Sequence, residues 1–211
     1  MSAVALVLVT LTSLLLFVYG INLLYLSRRA LSLRPEAERS VADGEELPVG
    51  PGRSLTTVDS PGHAKHHLAL HDSQSGILFV GDAVGVRLPD AGLLRPSTPP
   101  PDFDLDQAVT SMRKFAARRP AGIALAHYGL VPDHESILEE AEDTLQRWAA
   151  VAERAWHEGR DIAEALGESF TLADDALAPD AREKMETLNG IHSNAAGFRR
   201  WLETRSDATE L

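Results

Sequence analysis

The chain has 211 residues, enough for one ordinary domain, and it contains no cysteine, which excludes disulfides, cysteine-ligated zinc and thiol catalysis. Its 20 basic and 31 acidic residues give a net charge of −11. Residues 1–34 hold three arginines and no acid, so the remainder is more acidic still. Such a body disfavours the phosphate backbone of nucleic acids, and we expect no nucleic-acid partner.

The N-terminal segment is long, apolar and uncharged. Residues 3–26 span 24 positions without a charge, and a helix needs about 20 apolar residues to cross a bilayer. A cleaved signal peptide would begin with positive charge and have an apolar core of about 7–15 residues, and neither is present. The sequence therefore predicts a transmembrane helix, against the alternative of a buried helix in a soluble protein.

Positive charge follows this segment. Arg28, Arg29 and Arg34 lie on its C-terminal side, and the positive-inside rule places that side in the cytoplasm. We therefore expect a single-pass membrane protein with a cytoplasmic C-terminal body. Residues 1–34 form the predicted helix with its basic flank, and residues 35–52, rich in Glu, Pro and Gly, are expected to be a linker.

Short strands are predicted beyond the linker. Residues 54–58 alternate in polarity and are β-branched, and residues 68–71 and 77–80 are apolar runs. Turn-forming residues at 72–76 predict a hairpin between the second and third strands. Residues 122–126 form a fourth apolar run, which predicts a short buried strand.

Helices and one long loop complete the expected architecture. Asp104 is the predicted N-cap of a helix over residues 105–117. Apolar residues at steps of three and four predict a long helix from about residue 133 to residue 157. Shorter helical patterns follow in residues 159–211, which we expect to form a helical tail. Residues 87–101, rich in proline and glycine, predict a long ordered loop beside the site.

Three polar side chains follow strands of this predicted sheet. His63 comes after Ser-Pro-Gly at the end of the first strand, Asp82 follows the third and His127 follows the fourth. Loops at strand ends carry chemistry on a rigid scaffold. Two imidazoles and a carboxylate suit zinc or a similar divalent metal. Alone, each has a plainer reading as a turn or core residue, but their shared placement favours ligands.

These motifs resemble the C-terminal half of a metallo-β-lactamase-fold hydrolase. The matching pieces are PGH at 61–63, FVGDA at 79–83 and LAHYG at 125–129, in the family's order. The resemblance extends over residues 44–158, a little over half of the chain. It implies an α/β fold in which residues 53–158 form the C-terminal half of a four-layer αββα sandwich.

The resemblance also implies roles for individual residues. His63 matches a ligand of a first zinc ion, Asp82 the catalytic carboxylate that bridges two ions, and His127 a ligand of the second. His67 is expected to support the ligands or touch substrate. Tyr128 is placed to donate a hydrogen bond to an oxyanion, although burial of its ring is the simpler reading. The implied reaction is hydrolysis of an ester, thioester, lactone or amide in a small-molecule substrate by metal-bound hydroxide.

The chain departs from the family in its N-terminal half. The signature His-x-His-x-Asp-His, which supplies most ligands, begins at none of the eight histidines. Catalytic zinc sites usually have about three protein ligands, and two per metal with one shared should bind zinc weakly or not at all. One face of the sheet also needs a partner. A chain carrying the missing half, a second copy of this chain or the membrane could cover it.

Three functions are consistent with these patterns. The first is a membrane-tethered hydrolase that is active only with a complementing half. The second is a non-catalytic, membrane-anchored binding module that kept the strand ends without the metal. The third is a truncated or recombined gene product with no function of its own. The metal content of the purified chain separates the first from the second.

Overall fold

The computed structural model describes residues 40–89, 92–127, 129–131, 134–175 and 177–209. The chain divides into two compact units, Met1–Val41 and Ala42–Leu211, and nearly all of the first lies outside the described residues. The predicted transmembrane segment, residues 3–26, therefore also lies outside them. Within the described ranges, no helix is long and apolar enough to cross a bilayer.

The described residues form a six-stranded mixed sheet and a small two-stranded one. The strands are β1 (Glu46–Gly50), β2 (Arg53–Asp59), β3 (Leu68–Asp72), β4 (Ile77–Gly81), β5 (Val86–Arg87), β6 (Leu94–Arg95), β7 (Gly122–Leu125) and β8 (Gly129–Leu130). The large sheet has the order β1-β2-β3-β4-β7-β8, and β5 pairs with β6. Its neighbours are antiparallel except for β4 and β7, which are parallel. The sequence predicts a sheet that is either mixed or antiparallel; the sheet is confirmed and is mixed.

The β3–β4 hairpin forms where the turn residues predict it. Beside the turn, the Asp72 carboxylate accepts hydrogen bonds from the Arg53 guanidinium at 2.9 and 2.8 Å and from the Ser75 hydroxyl at 2.6 Å. The side chain of Asp72 is only 1% exposed. The bond from Arg53, followed by that from Ser75, holds the pKa of this carboxyl well below its usual value. A hydrogen-bonded ion pair therefore joins β2 to β3 beside the turn.

Part of the segment predicted as a linker is instead a strand. Glu46–Gly50 pairs antiparallel with β2 as β1, at the end of the sheet. The backbone N–H of Thr57 donates to the carbonyl of Glu45 at 2.9 Å and extends this pairing by one residue beyond β1. The prediction is wrong here because an edge strand is largely exposed and tolerates the polar residues, Pro48 and glycine that resemble a linker.

Five helices lie in the described ranges after residue 104. They are α1 (Leu105–Ala117), α2 (His134–His157), α3 (Ile162–Asp175), α4 (Pro179–Asn189) and α5 (Ile191–Thr209). Asp104 caps α1 as predicted, because its Oδ1 accepts from the backbone N–H of Gln107 at 2.9 Å. Pro179 lies in the first turn of α4, where the missing N–H leaves no helical bond unmade. The predicted long helix and helical tail are confirmed.

One hydrophobic core joins the sheet to the helices. The sheet contributes residues with no exposed surface, namely Val58, Ala69, Leu78, Val80 and Ile123. The helices contribute Phe115, Ile137, Leu145, Leu166 and Phe198, among others. Because α3 and α5 bury their apolar residues in this same core, the predicted boundary after residue 158 runs through one compact unit, Ala42–Leu211.

The other face of the large sheet is partly open. Leu70 opposes Phe79, Phe79 opposes Ala124, and Ala124 opposes Leu130 in neighbouring strands. Residues opposite one another in a sheet point to the same side, so these four share a face. Phe79 is 41% exposed and Leu130 is 59% exposed. This face therefore presents apolar surface that its own helices do not cover.

Candidate functional site

The Pro-Gly-His turn after β2 is fixed by helix α1. Gly62 has a φ of +135°, which favours glycine, and a Cβ at this position would collide with the backbone of α1. The carbonyl of Gly62 accepts from the backbone N–H of Asp104 at 2.9 Å. The hydroxyl of Ser111 donates to the carbonyl of Pro61 at 2.6 Å. These contacts set the backbone position of His63.

The ring of His63 is oriented by a loop carbonyl. Its Nδ1 lies 3.0 Å from the carbonyl oxygen of Ser97. Because a carbonyl only accepts, Nδ1 carries the proton and, in the neutral ring, Nε2 keeps its lone pair. Metal-binding histidines typically donate their second nitrogen to a carbonyl or carboxylate in this way. The geometry suits the predicted ligand role of His63, which stays a prediction.

His67 lies between His63 and the end of β4. The two rings are edge to face, with centroids 5.8 Å apart, and Nδ1 of His67 is 2.8 Å from the hydroxyl of Ser60. A Cβ on Gly81 would come within 2.6 Å of Nε2, so the glycine makes room for the ring. Burial lowers the pKa of His67, His63 lowers it further and Asp82 opposes the shift. These effects together favour the neutral form of His67.

Asp82 and His127 form a second pair at the same end of the sheet. They follow β4 and β7, which are parallel neighbours, so the two strands end side by side. Oδ1 of Asp82 lies 3.6 Å from Nε2 of His127. The two side chains are 34% and 39% exposed. The structure thus brings these two predicted site residues together in a position open to solvent.

His63, Asp82 and His127 have the chemistry of zinc ligands, but too few of these side chains lie close enough together to hold one ion. His67 contacts His63, and Asp82 lies near enough for its charge to influence the pKa of His67. Yet across the described ranges no three His, Asp or Glu side chains lie close enough together to hold one metal ion. Catalytic zinc sites usually have about three protein ligands. The donor types therefore fit zinc, and their number does not. Tyr128 lies outside the described residues, so its predicted role stays a prediction.

Arg87 was missed by the sequence reading and lies beside His127. Both line a cavity of about 20 Å³, together with Leu125 and Leu130. The Nε atom of Arg87 is buried and has no hydrogen-bond partner in the described part of the chain. Such a donor is normally satisfied by water or a ligand, and the cavity has room for one water. No sequence signal marks Arg87, because its position depends on the pairing of β5 with β6.

The sequence of the chain matches a known family. The profile described as the Metallo-beta-lactamase superfamily matches residues 19–127. The metallo-beta-lactamase fold-containing protein ST1585 of Sulfurisphaera tokodaii is 32% identical over 100 residues, which are 47% of this chain and 35% of that protein. The chain thus spans little more than a third of the length of this relative. The profile match begins inside residues 3–26, so it gives no support to a separate membrane anchor there.

Solved structures of the same superfamily are also similar. A metallo-beta-lactamase family protein from Thermus thermophilus, TTHA1429, has a TM-score of 0.50 at 19% identity, covering 79% of this chain and 49% of that one. The structure of ST1585 from Sulfolobus tokodaii has a TM-score of 0.44 at 30% identity, covering 50% of this chain and 38% of that one. The TTHA1429 structure supports the fold alone, since its sequence identity is low.

The profile match decides the family. It covers more than half of the chain and includes His63, Asp82 and His127, the strand-end residues on which the resemblance rested. The mixed sheet with its helices agrees with that fold. The chain belongs to the metallo-beta-lactamase superfamily.

Proposed function

We propose that this chain supplies one half of a zinc-dependent hydrolase site that cleaves an ester, thioester, lactone or amide bond in a small-molecule substrate. The observation that carries the proposal is the arrangement at one end of the sheet. Asp82 lies 3.6 Å from His127, and the ring of His63 is held through Nδ1, which leaves Nε2 as its ligand atom. Membership of the superfamily supports zinc as the metal and disfavours a binding module without one.

Each residue has a distinct task in this proposal. Asp82, His127 and Nε2 of His63 would supply ligand atoms to zinc once the complementing half is present. His67, hydrogen-bonded to Ser60, supports the ligands or contacts substrate. Tyr128 is assigned the oxyanion hydrogen bond. If zinc bound there, it would supply hydroxide at neutral pH, because zinc lowers the pKa of its water toward about 7.

The remaining ligands are assigned to a complementing half-domain with the His-x-His-x-Asp-His motif. Exposed apolar side chains on the open face of the sheet, Phe79 and Leu130, support this assignment. A second sheet packed there would bury them and produce the four-layer αββα sandwich, of which this chain forms the C-terminal half. A second copy of this chain would cover the same face but would not bring that motif.

We also propose that residues 3–26 tether the protein to a membrane, with the acidic body in the cytoplasm. The support is the 24-residue uncharged run and the three arginines that follow it. Fractionation of cells tests the tether, and protease treatment of intact cells tests the orientation through protection of the C-terminal tail. Recovery in the soluble fraction, or cleavage of the tail from outside, would overturn this part of the proposal.

Turnover with a complementing half tests the function. Ester, thioester and lactone hydrolysis is measured with excess zinc, using the full chain with and without a polypeptide that carries the motif half. We expect turnover only in the mixture, loss of turnover with Asp82→Asn, and no change with Asp143→Asn, an exposed carboxylate on α2. Turnover of the mixture that survives Asp82→Asn contradicts the proposal.

A further inference from the structure

The tail helices bind the loop that orients His63. Ser97, whose carbonyl accepts from His63, lies just after β6. The side-chain amide of Asn189, the last residue of α4, donates to the carbonyl of Arg95 at 3.2 Å and to that of Pro96 at 2.8 Å. These are the two carbonyls directly before Ser97, so α4 holds the loop on its N-terminal side.

Asn194 in α5 holds the other side of Ser97. Its Oδ1 accepts from both the backbone N–H and the hydroxyl of Thr98 at 2.8 Å. Its Nδ2 donates to Oδ1 of Asn189 at 2.8 Å, so the two asparagines form one network. Asn189 is 6% exposed and Asn194 is 1% exposed. Buried polar networks with their bonds made are rigid, and they fix the groups they contact.

The side chain of Arg95 anchors the same loop. It is 1% exposed, and its Nη1 donates to the Glu186 carboxylate at 2.5 Å and to the carbonyl of Asn189 at 3.0 Å. Its guanidinium lies 5.8 Å from the centre of the Trp148 ring. A buried cation requires such partners, so these contacts of Arg95 anchor the loop to α4 and α2.

Gly197 sets the distance between α5 and the loop. A Cβ at Gly197 would collide with the carbonyl of Thr98, so the helix and the loop touch through their backbones. Gly167, also a helical glycine, differs in this respect, since a Cβ there would meet nothing within 4 Å. The two glycines therefore offer a matched pair for substitution.

We propose that the C-terminal helices position His63 for its task in the site. Asn189, Asn194 and Gly197 hold the Ser97 carbonyl where it fixes the His63 proton on Nδ1 and leaves Nε2 as the ligand atom. They are positioning residues, since they act through Ser97 and do not touch substrate. The purpose of this arrangement rests on the proposed function, but the orientation itself belongs to the metal-free chain and is measured there.

Nitrogen NMR of the histidine rings tests the proposal directly. The full chain, labelled with ¹⁵N-histidine, is kept in detergent, freed of metal with a chelator and measured near pH 8, about 1.5 units above the ordinary histidine pKa. The ring-nitrogen signals that disappear in the His63→Gln variant are assigned to His63. We expect a single Nδ1–H form of His63 in the wild type and in Gly167→Ala. In Gly197→Ala, which displaces the loop, the two ring nitrogens should move toward averaged shifts.

A second comparison covers the case in which Gly197→Ala does not fold. Asn194→Leu removes the buried amide that holds Thr98, and Thr57→Val removes a buried hydroxyl that bonds to Ala42 and Glu45 instead. Averaged His63 shifts in Asn194→Leu but not in Thr57→Val support the proposal. It is overturned if His63 already averages in the wild type, or if it keeps the single form in a folded Gly197→Ala or Asn194→Leu variant. This experiment measures no turnover, so its outcome is separate from the test of the proposed function. A fixed His63, found together with no turnover in the mixture of the chain and a motif half, would overturn the proposed function and leave this proposal standing.

Discussion

The two faces of the six-stranded sheet differ in how they are covered. On the helix side, Leu78 and Ile123 have no exposed surface, whereas Phe79 and Leu130 on the opposite side are 41% and 59% exposed. Strands with apolar residues on both faces are typical of sheets that are buried on both sides. The difference teaches that this sequence is suited to a sheet with two covers, of which helices α1, α2, α3 and α5 supply one.

The candidate site shows the same asymmetry. His63 is fixed from behind by α1 and by the loop that the tail helices hold. Asp82 and His127 lie against each other where β4 and β7 end, and each side chain is about a third exposed. His63 is therefore held by hydrogen bonds on the helix side, whereas Asp82 and His127 are partly open to solvent.

Adjacent residues on β4 give the sharpest test of the two faces. Leu78→Ala empties a fully buried position and should cost about 2–5 kcal/mol of unfolding free energy. Phe79→Ala removes a larger side chain from the open face and should cost less than about 1 kcal/mol. Urea unfolding of the two variants measures the difference. Equal costs would show that the open face is covered in the isolated chain.

The two helical glycines give a smaller contrast on the helix side. Gly197→Ala forces a methyl group against the Thr98 carbonyl and should destabilise the fold by about 1–3 kcal/mol. Gly167→Ala meets open space and should stabilise it by about 0.5–1 kcal/mol, because alanine is the better helix former. Thermal unfolding of both variants measures the two signs. A stabilising Gly197→Ala would contradict the close contact of α5 with the loop.

The ion pair beside the β3–β4 turn predicts a dependence of stability on pH. Because the folded pKa of Asp72 is depressed, its stabilisation is present above the unfolded value of about 3.9 and is lost as the pH falls further toward the folded value. Denaturant titrations of the wild type between pH 6 and pH 2 should show this loss. In Asp72→Asn the stability is lower at neutral pH and the acid-dependent loss is smaller. An unchanged pH profile in that variant would contradict the assignment.

The periodic elements were predictable from sequence, and so was the approach of Asp82 to His127, whereas His63 does not join them at one point. Alternating β-branched runs and apolar stripes predict β2, β3, β4, β7 and the helices, because burial on one face leaves a repeat in the sequence. Asp82 and His127 follow parallel neighbouring strands, so their approach to 3.6 Å follows from the order of strands and motifs. The family resemblance rested on those same strand ends, and the profile match confirms it.

Features that depend on distant pairing could not be predicted. β1 lacks an apolar repeat because it is an exposed edge strand. The contacts of Asn189 with Arg95 and Pro96 join residues more than ninety positions apart, and nothing local marks them. The same applies to Arg87, whose buried Nε follows from the short β5–β6 pairing. The tail carried no functional signal in the sequence, yet it holds the loop that orients His63.

Zinc content of the purified full chain, alone and with a complementing half, tests the central claim most directly. The chain is passed over a chelating resin, and bound zinc per chain is counted by mass spectrometry, with Asp82→Ala as the control. We expect less than one ion per chain for the chain alone, and zinc retention that depends on Asp82 in the mixture. Tight zinc binding with robust turnover by the lone wild-type chain, both lost in Asp82→Ala, would contradict the account of an incomplete site.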